Sequence, residues 1–150
     1  MRLLRVAAFG LAGAFLALQL VPYGRDHTNP PVTGDAPWTS AEGRRIAVGA
    51  CYDCHSNETA WPWYSHVAPM SWLVQDDVDE GRDALNFSEW DRRQDADDLV
   101  ESVVEGSMPP RPYGLLHPSA RLSGAEKELL LSALRDLEAQ EDSDRRRSSD

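Results

Sequence analysis

The chain has 150 residues and a formal net charge of −10, from 25 acidic and 15 basic residues. This length is enough for one domain with a hydrophobic core and too short for two. The negative charge argues against a nucleic-acid partner, since phosphate binding needs a basic face. It favours a protein partner with a basic docking face, because complementary charge steers such encounters.

The N-terminal segment has the form of an export signal. Arg2 and Arg5 precede an apolar run over residues 6–21 that only Gln19 interrupts, which is the order of a basic and then an apolar signal region. No small-x-small cleavage site follows, so we expect an uncleaved signal anchor over residues 1–24, with a cleaved signal peptide as the alternative. Either form places the remaining chain on the periplasmic side of the inner membrane.

The next segments predict a linker and a first helix. Residues 25–38 are rich in Pro, Asn, Gly and Asp, which is typical of an extended linker. Thr39 and Glu42 have the spacing of a capping box, so we expect a helix from Thr39 through Ile46 and Val48 toward Cys51.

Two further helices are predicted in the middle of the chain. The second spans Ser71–Leu85, and its expected inward residues are Trp72, Leu73, Val78 and Leu85. Ser88 is expected to cap a short turn over 89–92. The third helix spans Asp95–Glu105 and ends at Gly106, as a helix often ends at glycine; its expected inward residues are Leu99, Val103 and Val104.

The C-terminal part predicts one last helix. Residues 108–122 contain four prolines, so no regular helix is expected there. Ser123 and Glu126 form a second capping box, which opens a helix with an apolar side made of Leu129, Leu130, Ala133, Leu134 and Leu137. Residues 141–150 are charged and predict a disordered tail. No segment alternates like a strand, so the predicted class is all-α, with about four helices in a domain over residues 39–140.

The chemistry is concentrated in one motif, Cys51-x-x-Cys54-His55, which uses the only two cysteines of the chain. Two thiols about one helical turn apart can reach the two vinyl groups on one porphyrin edge, and the adjacent imidazole can bind the iron. The motif follows an export signal and ends a capped helix. It therefore predicts one covalently attached haem, haem c.

The motif has three alternative uses in other proteins. A thioredoxin-like dithiol needs a βαβ setting, and no strand pattern surrounds the motif. A tetrahedral zinc site needs a fourth ligand, which His66 or His117 could supply. A plain disulfide suits an exported protein but leaves the histidine unexplained.

The second axial ligand of the iron is expected to be Met108. It precedes Pro109 and Pro110 in a stiff loop after a helix, which can hold a thioether still, and thioether ligation raises the reduction potential. Filling a gap in the core is the alternative role for a methionine. The other candidate ligands are Met70, His117 and His66, whereas His27 in the linker is expected to play no part.

The sequence also resembles a bacterial family of single-haem "haem-binding domain" proteins, and more broadly the small class I c-type cytochromes. The matching stretches are 29–32, 51–58, 61–65, 68–73, 77–82, 85–90 and 106–113, with His117 and 122–123. The resemblance implies that Cys51 and Cys54 form the thioethers, that His55 is the proximal ligand and that Met108 is the distal one. It also implies that Gly43, eight residues before Cys51, lets the first and last helices cross closely through an aliphatic contact.

Several residues have both a structural and a functional interpretation. The aromatic residues are expected in the core or against the haem, where they could also meet a propionate: Trp61, Trp63, Tyr64, Trp72 and Trp90. Arg111 and Tyr113 are candidates for a propionate contact or for a solvated surface. The acidic residues 75–83 form a solvated helix face or a docking surface for a redox partner.

The predicted function is single-electron transfer outside the cytoplasm rather than catalysis. One alternative is a haem-based sensor or peroxidase-like protein with a labile distal site. The other is a zinc- or dithiol-based binding module.

Overall fold

The structure is a computed structural model that describes residues 1–92, 94, 96 and 98–148. Within these residues every regular element is a helix, and the only β-type pairing is an isolated bridge between Gly34 and Glu89. The helices are α1 (Arg2–Leu18), α2 (Ala41–Ala50), α3 (Tyr52–His55), α4 (Met70–Ala84), α5 (Leu99–Glu105), α6 (Arg111–Leu116) and α7 (Gly124–Arg147), with 3₁₀ turns at Trp63–His66 and Pro118–Ala120. The all-α prediction is confirmed, although the helices are more numerous than expected.

Helix α1 covers the segment that was predicted to be a membrane anchor. It has 17 residues, none of them buried, and its C-terminal end is fixed to the body of the protein by Gln19. The Gln19 side chain donates to the carbonyl of Ala68 at 2.9 Å and accepts from its N–H at 3.0 Å. Among the helices of the described residues, none has the length and apolar character needed to span a bilayer. A membrane-spanning helix over residues 1–24 is therefore not supported.

The core lies where α2 crosses α7. The buried residues there are aliphatic: Ile46, Ala47, Leu130, Leu134 and Leu137. A Cβ on Gly43 would lie 2.4 Å from the Cβ of Ala133 on α7, so this crossing requires a residue without a side chain. The close aliphatic contact implied by the family resemblance is confirmed.

The linker over residues 25–38 contains no helix but is fixed to the domain by hydrogen bonds. The N–H of Ala36 donates to the carbonyl of Phe87 at 2.8 Å, and the side chain of Asn29 donates to the carbonyl of Thr59 at 2.9 Å. Ala36 is itself part of the core. The linker therefore forms one side of the domain that it precedes.

Of the two predicted helix caps, the one at Ser123 is confirmed and the one at Thr39 is wrong by one residue. Ser40 caps α2 by accepting from the N–H of Gly43 at 3.0 Å, whereas the hydroxyl of Thr39 donates to Asp136 on α7, so Thr39 is not the cap. Ser123 forms the predicted capping box, accepting from the N–H of Glu126 while the Glu126 carboxylate accepts from the N–H of Ser123.

Helices α4 and α5 agree with the predictions except for the first residue of α5 and the burial of two side chains. The structure begins α5 at Leu99 rather than Asp95, and Asp95 itself lies outside the described residues. Leu73 and Val104, both expected inside, are 55% and 53% exposed. The hydroxyl of Ser88 does not cap the following turn, because it is buried and accepts from the N–H of Asn57.

Two predictions about the C-terminal part were wrong. Residues 111–116 form α6, since Pro112 lies in the first turn, where a missing N–H removes no helical hydrogen bond. Helix α7 runs on to Arg147 instead of giving way to a disordered tail at 141, and pairs such as Arg145–Glu141 at 3.5 Å support its last turns. Leu129, expected on the apolar side of α7, is 46% exposed.

Candidate haem site

The Cys-x-x-Cys-His motif lies at the junction of α2 and α3. Cys51 ends α2, and its carbonyl accepts from the N–H groups of Cys54 and His55 at 3.2 and 2.9 Å, which closes one tight turn. Both cysteines are free thiols. Burial raises the pKa of Cys51 to about 12 and that of Cys54 to about 11, so both thiols keep their protons at neutral pH.

Helix α4 packs directly on this turn and orients His55. A Cβ on Gly81 would lie 2.5 Å from the carbonyl oxygen of Cys54, so glycine permits the approach. Nδ1 of His55 donates to the carbonyl of Leu85 at 3.2 Å, which leaves the lone pair of the neutral ring on Nε2. Burial lowers the pKa of His55 against the opposing effect of the carbonyl. Together these features favour the neutral, oriented imidazole that a metal ligand must be.

Arg82, next to Gly81 on α4, holds the chain that leaves the motif. Its guanidinium donates to the carbonyl of Ser56 at 2.8 Å and to side-chain oxygens of Asn29 and Thr59, each at 3.0 Å. The guanidinium of Arg82 thus connects α4 to the linker and to residues 56–59, which follow the motif. The sequence did not indicate a role for Arg82. An arginine on an acidic helix has no neighbouring residues that would reveal its contacts with three distant parts of the chain.

A cavity of about 330 Å³ lies beside Cys54. Its volume falls at the lower end of the range of roughly 300–1,000 Å³ found for small-molecule and cofactor sites. Its apolar lining comes from α4 (Met70, Leu73, Val74 and Val78) and from residues 110–116. Leu73 and Leu116 in this lining are 55% and 60% exposed, and an apolar group bound here would cover them.

The polar part of the cavity lining includes a hydrogen-bonded set of four side chains: Asp53, Tyr64, Tyr113 and His117. The hydroxyl of Tyr113 donates to Asp53 at 2.5 Å, and the Tyr113 ring stacks on His117 with centroids 3.9 Å apart. Nδ1 of His117 donates to the backbone carbonyl of Tyr113 at 3.1 Å. Its Nε2 therefore accepts from the hydroxyl of Tyr64 at 3.2 Å.

Two of the four candidate distal ligands line the cavity. Among the described residues, the lining includes Met70 and His117 but neither Met108 nor His66. Met108 follows α5, its side chain is 38% exposed, and its N–H donates to the carbonyl of Ser102 at 3.1 Å. His117 has both ring nitrogens engaged, which favours a methionine as the distal ligand.

Some of the other residues singled out in the sequence analysis line the cavity, and others do not. Tyr64 and Tyr113 line the cavity, whereas Trp61, Trp63 and Arg111 are not among its described lining residues. Trp63 is 79% exposed, so it is not a core residue. His27, which was expected to play no part at the site, stacks on Trp61 with ring centroids 4.5 Å apart.

The described part of the chain contains no group of three or more His, Cys, Asp or Glu side chains placed to hold a metal ion. The zinc alternative, which needed His66 or His117 beside the motif, therefore has no geometric support. The residues do fit haem, because two free thiols and an oriented imidazole lie on one turn, and Cys54 of that turn lines an apolar cavity.

The comparisons with known proteins agree with this fit. A family model described as a haem-binding domain matches residues 13–136. No curated protein and no solved structure gives a significant match. Because the family model covers most of the chain, the protein belongs to the haem-binding domain family and binds haem.

Proposed function

We propose that the protein is a single-haem c-type cytochrome domain that transfers one electron at a time outside the cytoplasm. The observation that carries this proposal is the arrangement of Cys51, Cys54 and His55 on one tight turn beside the apolar cavity. When bound, haem supplies reversible one-electron chemistry. The basic start and apolar run of the N-terminus support export.

The two cysteines attach the haem by addition. Cys51 and Cys54 would hold the haem as thioethers to its two vinyl groups. Each protonated thiol would supply both the sulfur and the hydrogen for this addition, so no oxidant or reductant would be needed. His55 offers Nε2 to the iron, since its Nδ1–H is held by the carbonyl of Leu85.

Met108 would supply its thioether as the second ligand of the iron. Its loop leads directly into Pro110, which lines the cavity. Met70 is the alternative ligand, because it lines the cavity itself. The two methionines are matched in exposure, at 38% and 37%, so each is the control for the other.

The test is a visible spectrum and a redox titration of the haem-loaded protein. We expect reversible one-electron reduction and the weak far-red iron–thioether band in the ferric state. Met108→Ala should abolish the band and lower the reduction potential, and Met70→Ala should leave both unchanged. The reverse result would assign the ligand to Met70, and a protein that does not cycle between ferric and ferrous states would refute electron transfer.

A second function is favoured by the polar set on the cavity wall. Hydrogen-bonding groups beside an open iron position are what a small-ligand sensor or a peroxidase-like protein uses. This alternative predicts that the ferrous wild-type protein binds CO rapidly. The electron-transfer proposal predicts a six-coordinate iron that resists CO.

A further inference from the structure

A lid of residues 104–119, which includes α6, borders the cavity beside Cys54 without belonging to the core. The structure describes all of these residues and none of them is buried, whereas Val103 and Ala120 at the two ends are each 5% exposed. Among the described helices and 3₁₀ turns, the backbone of α6 approaches only the turn that follows it, Pro118–Ala120. The lid is therefore held at its ends and packs little along its length.

The middle of the lid is tied to the Cys-x-x-Cys-His turn by a side-chain hydrogen bond. The hydroxyl of Tyr113 on α6 donates to the carboxylate of Asp53 at 2.5 Å, and Asp53 directly precedes Cys54. The other carboxylate oxygen of Asp53 accepts from the N–H of Ala60 at 2.9 Å, which fixes the acceptor in place. A hydrogen bond to a charged group is stronger than one between neutral groups, so this bond is well suited to hold the lid closed.

Few other interactions must break for the lid to open. The hydroxyl of Tyr64 donates to His117 over a longer distance, 3.2 Å. Because the lid and α4 both line the cavity, empty space takes the place of packing between their apolar side chains. Segments with few buried contacts open locally at a small fraction of the free energy of global unfolding. Such an opening exposes the thiol of Cys54, which lines the same cavity.

We propose that the lid opens to give haem access to the thiol of Cys54, and that the hydrogen bond from Tyr113 to Asp53 is the latch that keeps it closed. The inference rests on the proposed function, because haem is the group that must reach this thiol. The latch acts beside the atom that it protects, since its acceptor is the residue before Cys54.

The test measures how fast iodoacetamide labels each cysteine of the full-length chain before haem is attached. Cys54 lines the cavity, whereas Cys51 packs against the hydrophobic core, so the two thiols report local and global opening in one molecule. When the lid opens and closes faster than the reagent reacts, the labelling rate is proportional to the open fraction. In Tyr113→Phe we expect Cys54 to be labelled about tenfold faster, the lower end of what a hydrogen bond to a charged group contributes. The rate at Cys51 should not change.

Tyr23→Phe is the matched control variant. It removes the hydroxyl of a half-exposed tyrosine that is outside the described cavity lining. Neither cysteine should be labelled faster in this variant than in the wild-type chain.

Hydrogen exchange of the same haem-free chain decides the question if Tyr113→Phe does not fold. In the wild-type chain the amides of α2 and α7, which cross in the core, should stay protected. The amides of α6 should exchange at least about tenfold faster, as expected for a segment that opens on its own.

Three results would overturn the lid. The first is an unchanged labelling rate of Cys54 in Tyr113→Phe, and the second is an equal acceleration at Cys51, which would mean that the whole chain opens. The third is exchange in α6 at the same rate as in α2 and α7. These measurements use the chain without haem, so they do not depend on attachment. A chain that never acquires a covalent haem refutes the proposed function instead, and with it the purpose of the lid but not its opening.

Discussion

The crossing of α2 and α7 gives the sharpest stability prediction. In Gly43→Ala the new Cβ would lie 2.4 Å from the Cβ of Ala133, whereas carbon atoms in contact prefer about 3.5–4.0 Å. The helices must therefore move apart by more than about 1 Å, and overpacking of this kind costs up to about 3 kcal/mol. Alanine in place of glycine inside a helix returns about 1 kcal/mol, so we expect a net loss of about 2 kcal/mol.

Gly49→Ala is the matched control on the same helix. Its Cβ would lie 3.4 Å from the nearest atom, a side-chain carbon of Ser119, which is ordinary contact. This variant should gain about 1 kcal/mol from helix propensity alone. The two substitutions should thus differ by about 3 kcal/mol in the free energy of unfolding, measured by denaturant titration of the haem-loaded protein.

The compensating variant tests the cause. Ala133→Gly removes the atom that Gly43→Ala would strike, so the double variant should recover part of the loss that the two single variants predict by addition. If Gly43→Ala proved as stable as Gly49→Ala, the close crossing of α2 and α7 would be refuted.

Three further predictions concern single side chains. Ser123→Ala removes the capping hydroxyl of α7 and should cost about 1 kcal/mol of unfolding free energy, whereas Ser132→Ala on the exposed side of α7 should cost little. Arg82→Met leaves carbonyl and hydroxyl acceptors without a charged donor and should cost about 2–3 kcal/mol in the same denaturant titration. Burial and the charge of Asp76 raise the pKa of Asp77, so folding disfavours its ionised form; Asp77→Asn should stabilise the protein at pH 7.

The pH dependence of the Asp77 variant follows from the sign of the shift. A raised pKa in the folded state means that the wild-type protein gains stability relative to the variant as the pH falls. The advantage of Asp77→Asn should therefore vanish near pH 3, where the wild-type carboxyl is protonated in both states. If Asp77→Asn and the wild-type protein were equally stable at pH 7, the effect expected from the raised pKa of Asp77 would be refuted. The predictions for Ser123→Ala and Arg82→Met would be refuted if those variants unfolded with the same free energy as the wild-type protein.

Much of the fold was predictable from local signals. The capping box at Ser123, the glycine end of α5 and the apolar periodicity of α4 and α7 each predicted an element that the structure contains. The errors arose where local and long-range effects compete. Thr39 fits a cap but reaches α7 instead, and Pro112 looks like a helix breaker but lies in the first turn of α6.

Of the candidate site, only the Cys-x-x-Cys-His motif was predictable from the sequence. The spacing of Cys51, Cys54 and His55 along the chain is a complete local signal. The partner of His55 is a backbone carbonyl 30 residues away, and Tyr64 meets His117 across 53 residues. Such contacts depend on how α4 and α6 pack, and residue types alone do not encode that packing. The same reason explains why Leu73, predicted in the core, lines the cavity beside Cys54.

We propose that this chain carries one haem through two thioether bonds. Attachment of this kind is tested by the intact mass of the denatured protein after production with the c-type maturation machinery. We expect the chain mass plus one haem, unchanged after acidified organic extraction, and a colourless extract. A Cys51→Ser, Cys54→Ser double variant should release its haem into the organic solvent. If the wild-type chain had its bare mass and all the colour entered the organic phase, the haem would be non-covalent and the cytochrome c proposal would be wrong.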